Sequence, residues 1–435
     1  MANAFTTQAL VEKAVQFAWH ENEGVARHIK FRNDLISAQK NTGATVTLRR
    51  PSRLHGTQRG LESSGANDLP SNTQPSVGYK PLIDAPVPLT LTVAVEANMQ
   101  ASMEELTYKL DRTDAYERFI KPAIVDAKDQ MNLAIMQASL YQAGQVITGD
   151  STTWSNYAQR YTNALLQAES LLLQRGACSE SEDRIALVPP SVMPKVGPAA
   201  QQMFHFANAE RIASGDPAGL SGMNAIKAFR SPLIPRFTAP TDPGTIKTVA
   251  PTTGVPNGVA SGFALTWLLG VTGLAASTTY KAGTYFAINE NWLMPTVQQD
   301  TGIQTTYMLV EDVTSDGSGN ATLKLSEARI FGGDFKNVTG STALAANVSV
   351  SIVQAPSGST IQPTVVFARD AIVGVSPKVD IPKGVVYGKN FTFDNGLNFA
   401  LIEDRWPGTL QNIVKLIGFI GVSVVKSEGV VALNV

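Results

Sequence analysis

Few residues of this sequence stand at spacings that do chemistry. His20-Glu21-Asn22-Glu23-Gly24 opens like the helical zinc motif, in which two imidazoles one turn apart grip the metal beside a glutamate base. Gly24 occupies the second imidazole's position, so zinc is not expected. Asp312, Asp316 and Gly317 match positions one, five and six of a calcium loop, but Thr314 and Leu323 replace the third and last ligands. The tract Ser315-Asp316-Gly317-Ser318-Gly319 reads better as a hairpin turn. Ser221, in Gly219-Leu220-Ser221-Gly222-Met223, is one residue short of a nucleophile elbow. Gly317 and Gly319 begin a dinucleotide loop without its third glycine or following helix, and no Walker-type phosphate loop occurs.

His20, His28, His55 and His205 are scattered and read as surface or structural residues, not as an acid-base set. Glycosylation-type triplets begin at Asn320, Asn337, Asn347 and Asn390, and read as chance matches in Thr-rich sequence. Arg49, Arg50, Arg53 and Arg59 have the chemistry to grip phosphates, but four charges in a long loop pair more naturally with carboxylates of a neighbour. No catalytic, metal or cofactor site is expected, and the chain reads as a non-enzyme.

Composition narrows the classes further. A chain of 435 residues exceeds what one core usually serves and predicts two or three units. The formal charge of -1 argues against a dedicated nucleic-acid binder, although residues 1–60 carry nine Lys or Arg against four Asp or Glu. Such mild polarity suits contacts between copies. Cys178 is the only cysteine, which excludes an intrachain disulfide and thiolate zinc and points to a reducing cytoplasm. Residues 1–10 show no secretory signal. The apolar runs at 263–276 and 413–425 fall short of the ~18 residues of a membrane span, so a soluble chain is expected.

The positioning elements follow from periodicity. In residues 8–18, Leu10, Val11, Ala14, Val15 and Ala18 recur at helical spacing and predict an amphipathic arm. Alternation at 44–49 and 89–96 predicts two half-buried strands, with about forty polar residues between them. So long a connection either reaches a partner or lacks order. Tyr116, Ile120, Ala123, Ala127, Met131, Ala134, Ile135 and Ala138 form one helical stripe over 113–143, a helix that would approach ~45 Å. Pro122 places the start of its regular part in question. Further helices are expected at 157–174 and at 191–206, with a strand at 185–188 between them.

Residues 231–362 form a charge-poor, β-rich block. Strands are expected at 246–249, 263–269, 284–288, 306–313, 321–326 and 348–353, punctuated by Gly, Pro, Ser and Thr. This pattern predicts a small antiparallel barrel or sandwich. The tail, 365–435, returns to alternating strands that close at 417–425 and 429–433 and must rejoin the earlier core.

In this order of parts the chain resembles the major capsid proteins of tailed bacteriophages. More narrowly it resembles coat proteins of short-tailed phages that carry an inserted β-barrel in the capsid fold shared with herpesvirus shells. Phe229-Arg230-Ser231-Pro232-Leu233-Ile234-Pro235 resembles the entry to the insertion, and Val366-Phe367-Ala368-Arg369-Asp370-Ala371-Ile372 its exit. Gly396-Leu397-Asn398, Gly421-Val422 and Glu428-Gly429-Val430 resemble the closing strands. The likeness spans nearly the whole chain, carried more by spacing than by identity.

The resemblance implies an α+β fold with six parts. These are an N-terminal helical arm (1–43), a strand, extended loop and strand (44–98), a spine helix (99–143), an axial domain (144–230), the inserted β domain (231–362) and a strand-rich return (363–435). It implies pentamers and hexamers that close into an icosahedral procapsid around scaffolding protein, with a portal at one vertex. The shell would assemble in the host cytoplasm, enclose double-stranded DNA without reading its sequence, and expand on packaging. Arg49, Arg50, Arg53 and Arg59 are then subunit-contact candidates, and Glu12, Glu21 and Glu23 could receive a basic scaffolding helix. No cofactor or membrane is implied. The alternative is a phage or bacterial surface-binding protein, an adhesin or tail component, with the β block as its recognition module.

Overall fold

The computed structural model describes residues 25–33, 45–50, 85–90, 93–102, 121–148, 156–178, 184–192, 194–196, 226–294, 298–333, 335–353, 360–385, 387–393, 396–405 and 411–435. The fold is mixed α+β, with few helices and many strands among these residues.

Two sheets and two helices make a frame. The first sheet is ordered around the 14-residue strand Gln411–Val424. Along one edge this strand pairs antiparallel with Val93–Ser102 and then with Ile372–Val375; along the other it pairs with Asn398–Arg405. Tyr387–Thr392 adds an outer strand, and Lys30–Phe31 joins in parallel beside Ile372–Val375. Helix α1, Lys121–Tyr141, lies across Val93–Ser102 and Gln411–Val424. Pro122 is the second described residue of this helix, which runs from there to Tyr141 without a break.

The face α1 buries includes Ala127, Met131, Ile135, Met136 and Leu140. Each large side chain there contributes about 1.5–3 kcal/mol relative to exposure. Ala134 and Ala138, expected on this stripe, are half-buried, because the buried face is centred about one residue further along. Buried Asn132 accepts a hydrogen bond from Ala26 N–H (3.1 Å) and so ties the segment Val25–His28 to α1.

The second sheet runs Gln145–Thr148, Val430–Asn434, Thr364–Ala368, Arg184–Val188, Ile226–Arg230. Its three inner strands are buried at every residue. Val365 and Phe367 face the α1 side, whereas Val366 faces helix α2, Tyr157–Gln174. Coverage of both faces explains why these strands read as continuous apolar runs, not the alternation expected of the tail. Helix α2 begins on Asn156, whose side chain accepts from Ala158 N–H (3.0 Å). It ends in a Schellman turn: Gly176 N–H bonds Leu173 O, Ala177 N–H bonds Leu172 O, and Gly176 takes φ +61°.

The chain leaves the second sheet at Ile226–Arg230 and re-enters it at Thr364–Ala368. Between these, Phe237–Thr238 pairs with Thr360–Ile361 as a neck. Beyond the neck are two three-stranded antiparallel sheets. One is Ala321–Ser326, Thr266–Thr272, Lys247–Thr248, and the other Asp300–Met308, Tyr285–Leu293, Val350–Ile352. Bridges Lys247 to Ser349 and Leu309 to Leu325 join their edges into a ring. The ring encloses its own core, drawn from residues 246–352, in which Tyr307 packs edge-on to Trp267 (5.1 Å) and tilted against Trp292 (5.2 Å).

Several expectations differ from what is observed. The single strand at 89–96 is two strands: Ala85–Thr90 pairs with Thr45–Arg50, and Val93–Ser102 joins the first sheet. Period-two alternation runs through both and carries no information about the partner. The strand expected at 306–313 is Asp300–Met308, because Leu309 turns to bridge Leu325 and Val313–Thr314 pairs instead with Thr279–Tyr280. A 3-10 turn, Pro190–Val192, precedes the helical residues 194–196; the rest of the helix expected to 206 lies outside the described residues, as does 113–120 of the long helix.

Candidate functional site at the base of the β block

Among the described residues, buried ion pairs lie inside the frame (Arg184–Glu169), inside the β block (Arg329–Glu290) and between the two (Arg175–Glu327). Arg175 is the C-cap of α2, and its guanidinium reaches out of the frame to Glu327, at the end of Ala321–Ser326. Nη1 donates to Oε2 (3.0 Å) and Nη2 to Oε1, so both carboxylate oxygens are engaged in a fork. Both side chains are almost fully buried, at 1% and 4% exposure. The guanidinium plane also lies 4.1 Å from the ring centre of Trp292, a buried block residue.

Backbone groups close in around this pair. A Cβ on Gly144 would overlap Glu327 Oε2 and Ser427 O, so only glycine lets the strand entry approach the carboxylate. Gly144 N–H reaches Ser427 O and Val430 O (3.1 Å each). Val146 N–H donates to Thr306 Oγ1 (3.0 Å), Gln145 Nε2 to Gln304 O (3.2 Å), and Ser326 Oγ to Ala143 O (3.2 Å). A second corner forms at the C-terminal end of α1. The Tyr141 and Phe237 rings lie over Gly283, and burial, reinforced by the Asp312 carboxylate, pushes the Tyr141 hydroxyl above its ordinary pKa. A cleft of ≈ 10 Å³ beside Glu327, lined also by Phe335, Asn337 and Glu428, has room for about one water.

The residues singled out in the sequence do not gather there. Asp312 accepts from Lys281 Nζ (2.7 Å) and Ala282 N–H (2.8 Å). Asp316 accepts from Ser318 N–H, Asn320 N–H and Asn320 Nδ2. Asp316 therefore shapes the turn between Val313–Thr314 and Ala321–Ser326, as the hairpin reading expects, whereas Asp312 ties its chain to Lys281 and Ala282. Asn337 is buried with its amide bonded to Ala328 O and Ile330 N–H, so the second glycosylation-type triplet is a structural hub. The His28 ring packs tilted against Phe229 (3.9 Å between centroids). No metal-holding group of His, Cys, Asp and Glu occurs among the described residues.

Arg49 and Arg50 end the strand Thr45–Arg50, with Arg50 opposite Ala85. The segment 51–84 thus leaves and returns at one paired position. Arg53 and Arg59, Glu12, Glu21 and Glu23, and His20, His55, His205 and Ser221 lie outside the described residues. Arg175 and Glu327 were missed by motif reading. Arg175-Gly176 at a helix end carried a signal of a C-terminal cap, but Glu327 lies 152 positions away and nothing in the sequence links the two.

Comparison with known proteins finds similarity among solved structures only. No protein-family model matches this chain. No curated protein matches it. Solved structures are similar over most of its length. The capsid of Ralstonia phage GP4 shares 9% identity at a TM-score of 0.44, covering 95% of this chain and 88% of that one. A Mycobacterium phage Che8 structure shares 10% at 0.39, covering 93% and 89%. A virus-like particle from Pyrococcus furiosus shares 8% at 0.38, covering 97% and 96%.

Proposed function

We propose that this chain is the major coat subunit of a tailed-phage shell, with a structural and not a catalytic role. The observation that carries the reading is the arrangement of the frame. A 21-residue helix lies along a sheet built on a 14-residue strand, a second sheet follows directly from the helix, and a hairpin stands outside both. Large subunit-to-subunit surfaces come naturally from such extended elements, and symmetry multiplies each modest contact.

On this reading residues 44–98 supply a strand, an extended loop that reaches a neighbour and a second strand, with Arg49, Arg50, Arg53 and Arg59 meeting the neighbour's carboxylates. Residues 1–43 supply an N-terminal helical arm, where Glu12, Glu21 and Glu23 receive a basic scaffolding helix. The β block is an inserted barrel domain that steadies the subunit and bridges capsomers. Copies associate as pentamers and hexamers, close around scaffolding with a portal at one vertex, and expand as double-stranded DNA enters. The compartment is the virion, after assembly in the host cytoplasm. No described helix is long and apolar enough to cross a membrane.

Electron microscopy of the purified chain, alone and co-expressed with the products of adjacent genes, tests this. Closed shells or capsomer rings are expected. Dispersed monomers in both preparations would overturn it. Charge reversal at Glu12 and Glu21 should reduce scaffolding recruitment; unchanged recruitment would remove that assignment.

A further inference from the structure

Glu327 adopts φ +54°, a left-handed conformation that L side chains avoid, and it does so while buried and charged. Two unfavourable features at one residue call for a compensating partner, and Arg175 is that partner. Its backbone is held by the capped end of α2, so the guanidinium is fixed to the frame before it meets the block. It engages both Glu327 oxygens and lies on the face of Trp292, so it contacts the block at two independent points. The block has its own core, and the covalent path between block and frame is the short neck of Phe237–Thr238 and Thr360–Ile361. Tyr285 and Met308 of the block are buried against the frame's core, an apolar seat that sets no direction by itself, so a directional tie at the base decides how the block is held.

We propose that the Arg175–Glu327 pair, seated on Trp292, is a clamp that makes the β block and the frame one mechanical body. Its role is coupling, not net stability. Replacing a buried ion pair with apolar side chains of similar volume is often neutral or stabilising, whereas positional restraint depends on the fork. With the clamp removed, the block shifts on its apolar seat, and the junction bond from Val146 N–H to Thr306 opens while both cores stay closed. The proposal concerns a single chain in solution and does not depend on shell formation.

Hydrogen exchange of the full chain carrying Arg175→Met with Glu327→Leu tests it. Val146 N–H reports the junction through its bond to Thr306, while Leu325 and Leu172 report the block and α2. Exchange at Val146 should rise at least about tenfold, with Leu325 and Leu172 within about twofold of wild type. Unchanged exchange at Val146 would overturn the clamp, as would joint loss of protection at all three, which would make the pair part of one cooperative core. Arg175→Lys covers the case of an insoluble double variant. It keeps the charge but loses the fork and the flat face on Trp292, so Val146 should exchange about threefold faster. Wild-type exchange at Val146 in that variant would also overturn the proposal.

Discussion

The β block and the frame are both built mainly from strands, yet they close in different ways. The block's ring uses strands drawn from residues 247–352, each paired to another within that span. The frame's second sheet sets Gln145–Thr148 beside Val430–Asn434 and Arg184–Val188 beside Thr364–Ala368. Closing distant pairs costs chain entropy before any contact repays it. The block can therefore complete its core from its own sequence, whereas the frame must wait for the tail.

Matched truncations give the largest effect and the sharpest test. Phe286 in the block and Phe367 in the frame are the same residue type and both fully buried. Each Phe→Ala change should cost about 3–5 kcal/mol. In hydrogen exchange, Phe286→Ala should open the block and leave Val365–Phe367 protected, and Phe367→Ala should do the reverse. If both regions open together in either variant, the two cores are not separate.

Asn257 should follow. Its buried amide donates to Val249 O (2.6 Å) and Leu344 O (3.4 Å) and accepts from Gly270 N–H (3.0 Å), while its backbone takes φ +53°. Asn257→Ala leaves buried backbone groups without partners and retains the strain, so a loss of about 2–4 kcal/mol is expected in urea unfolding of the block. A midpoint close to wild type would show that water replaces the hub.

Gly176→Ala tests the frame side. Open space surrounds the position, so only the left-handed backbone opposes the change, at about 1–2 kcal/mol. Gly176→Asn should recover much of that loss, since asparagine tolerates this conformation. Equal midpoints for the two variants would remove the Schellman turn from the account.

The smallest effect belongs to the exposed pair Lys281–Asp312 at the block surface. The hydrogen bond from Lys281, with help from Ala282 N–H, holds the Asp312 carboxyl below the ordinary range. A depressed folded-state pKa adds stability that is fully present above the unfolded value and is lost as pH falls through the folded one. Lys281→Ala should raise the Asp312 pKa toward its ordinary value, read from the carboxyl carbon shift, with under about 0.5 kcal/mol change in stability. An unmoved titration would assign the shift to Ala282 alone.

Local order was legible wherever one face decided the pattern. The spacing of apolar residues predicts α2 over 157–174 and the strand 321–326 with the bounds observed, since amphipathic burial is written into neighbouring residues. Composition alone marked 231–362 as β-rich. Partner choice was not legible. The alternation at 89–96 conceals a change of sheet between Thr90 and Val93, and the strands buried on both faces lose the period that identifies a half-buried strand. Arg175 and Glu327 look like ordinary surface charges in sequence. Their pairing exists because the end of α2 and the end of Ala321–Ser326 arrive at one place, and only the tertiary structure, which sets that distance and removes water from between them, decides it.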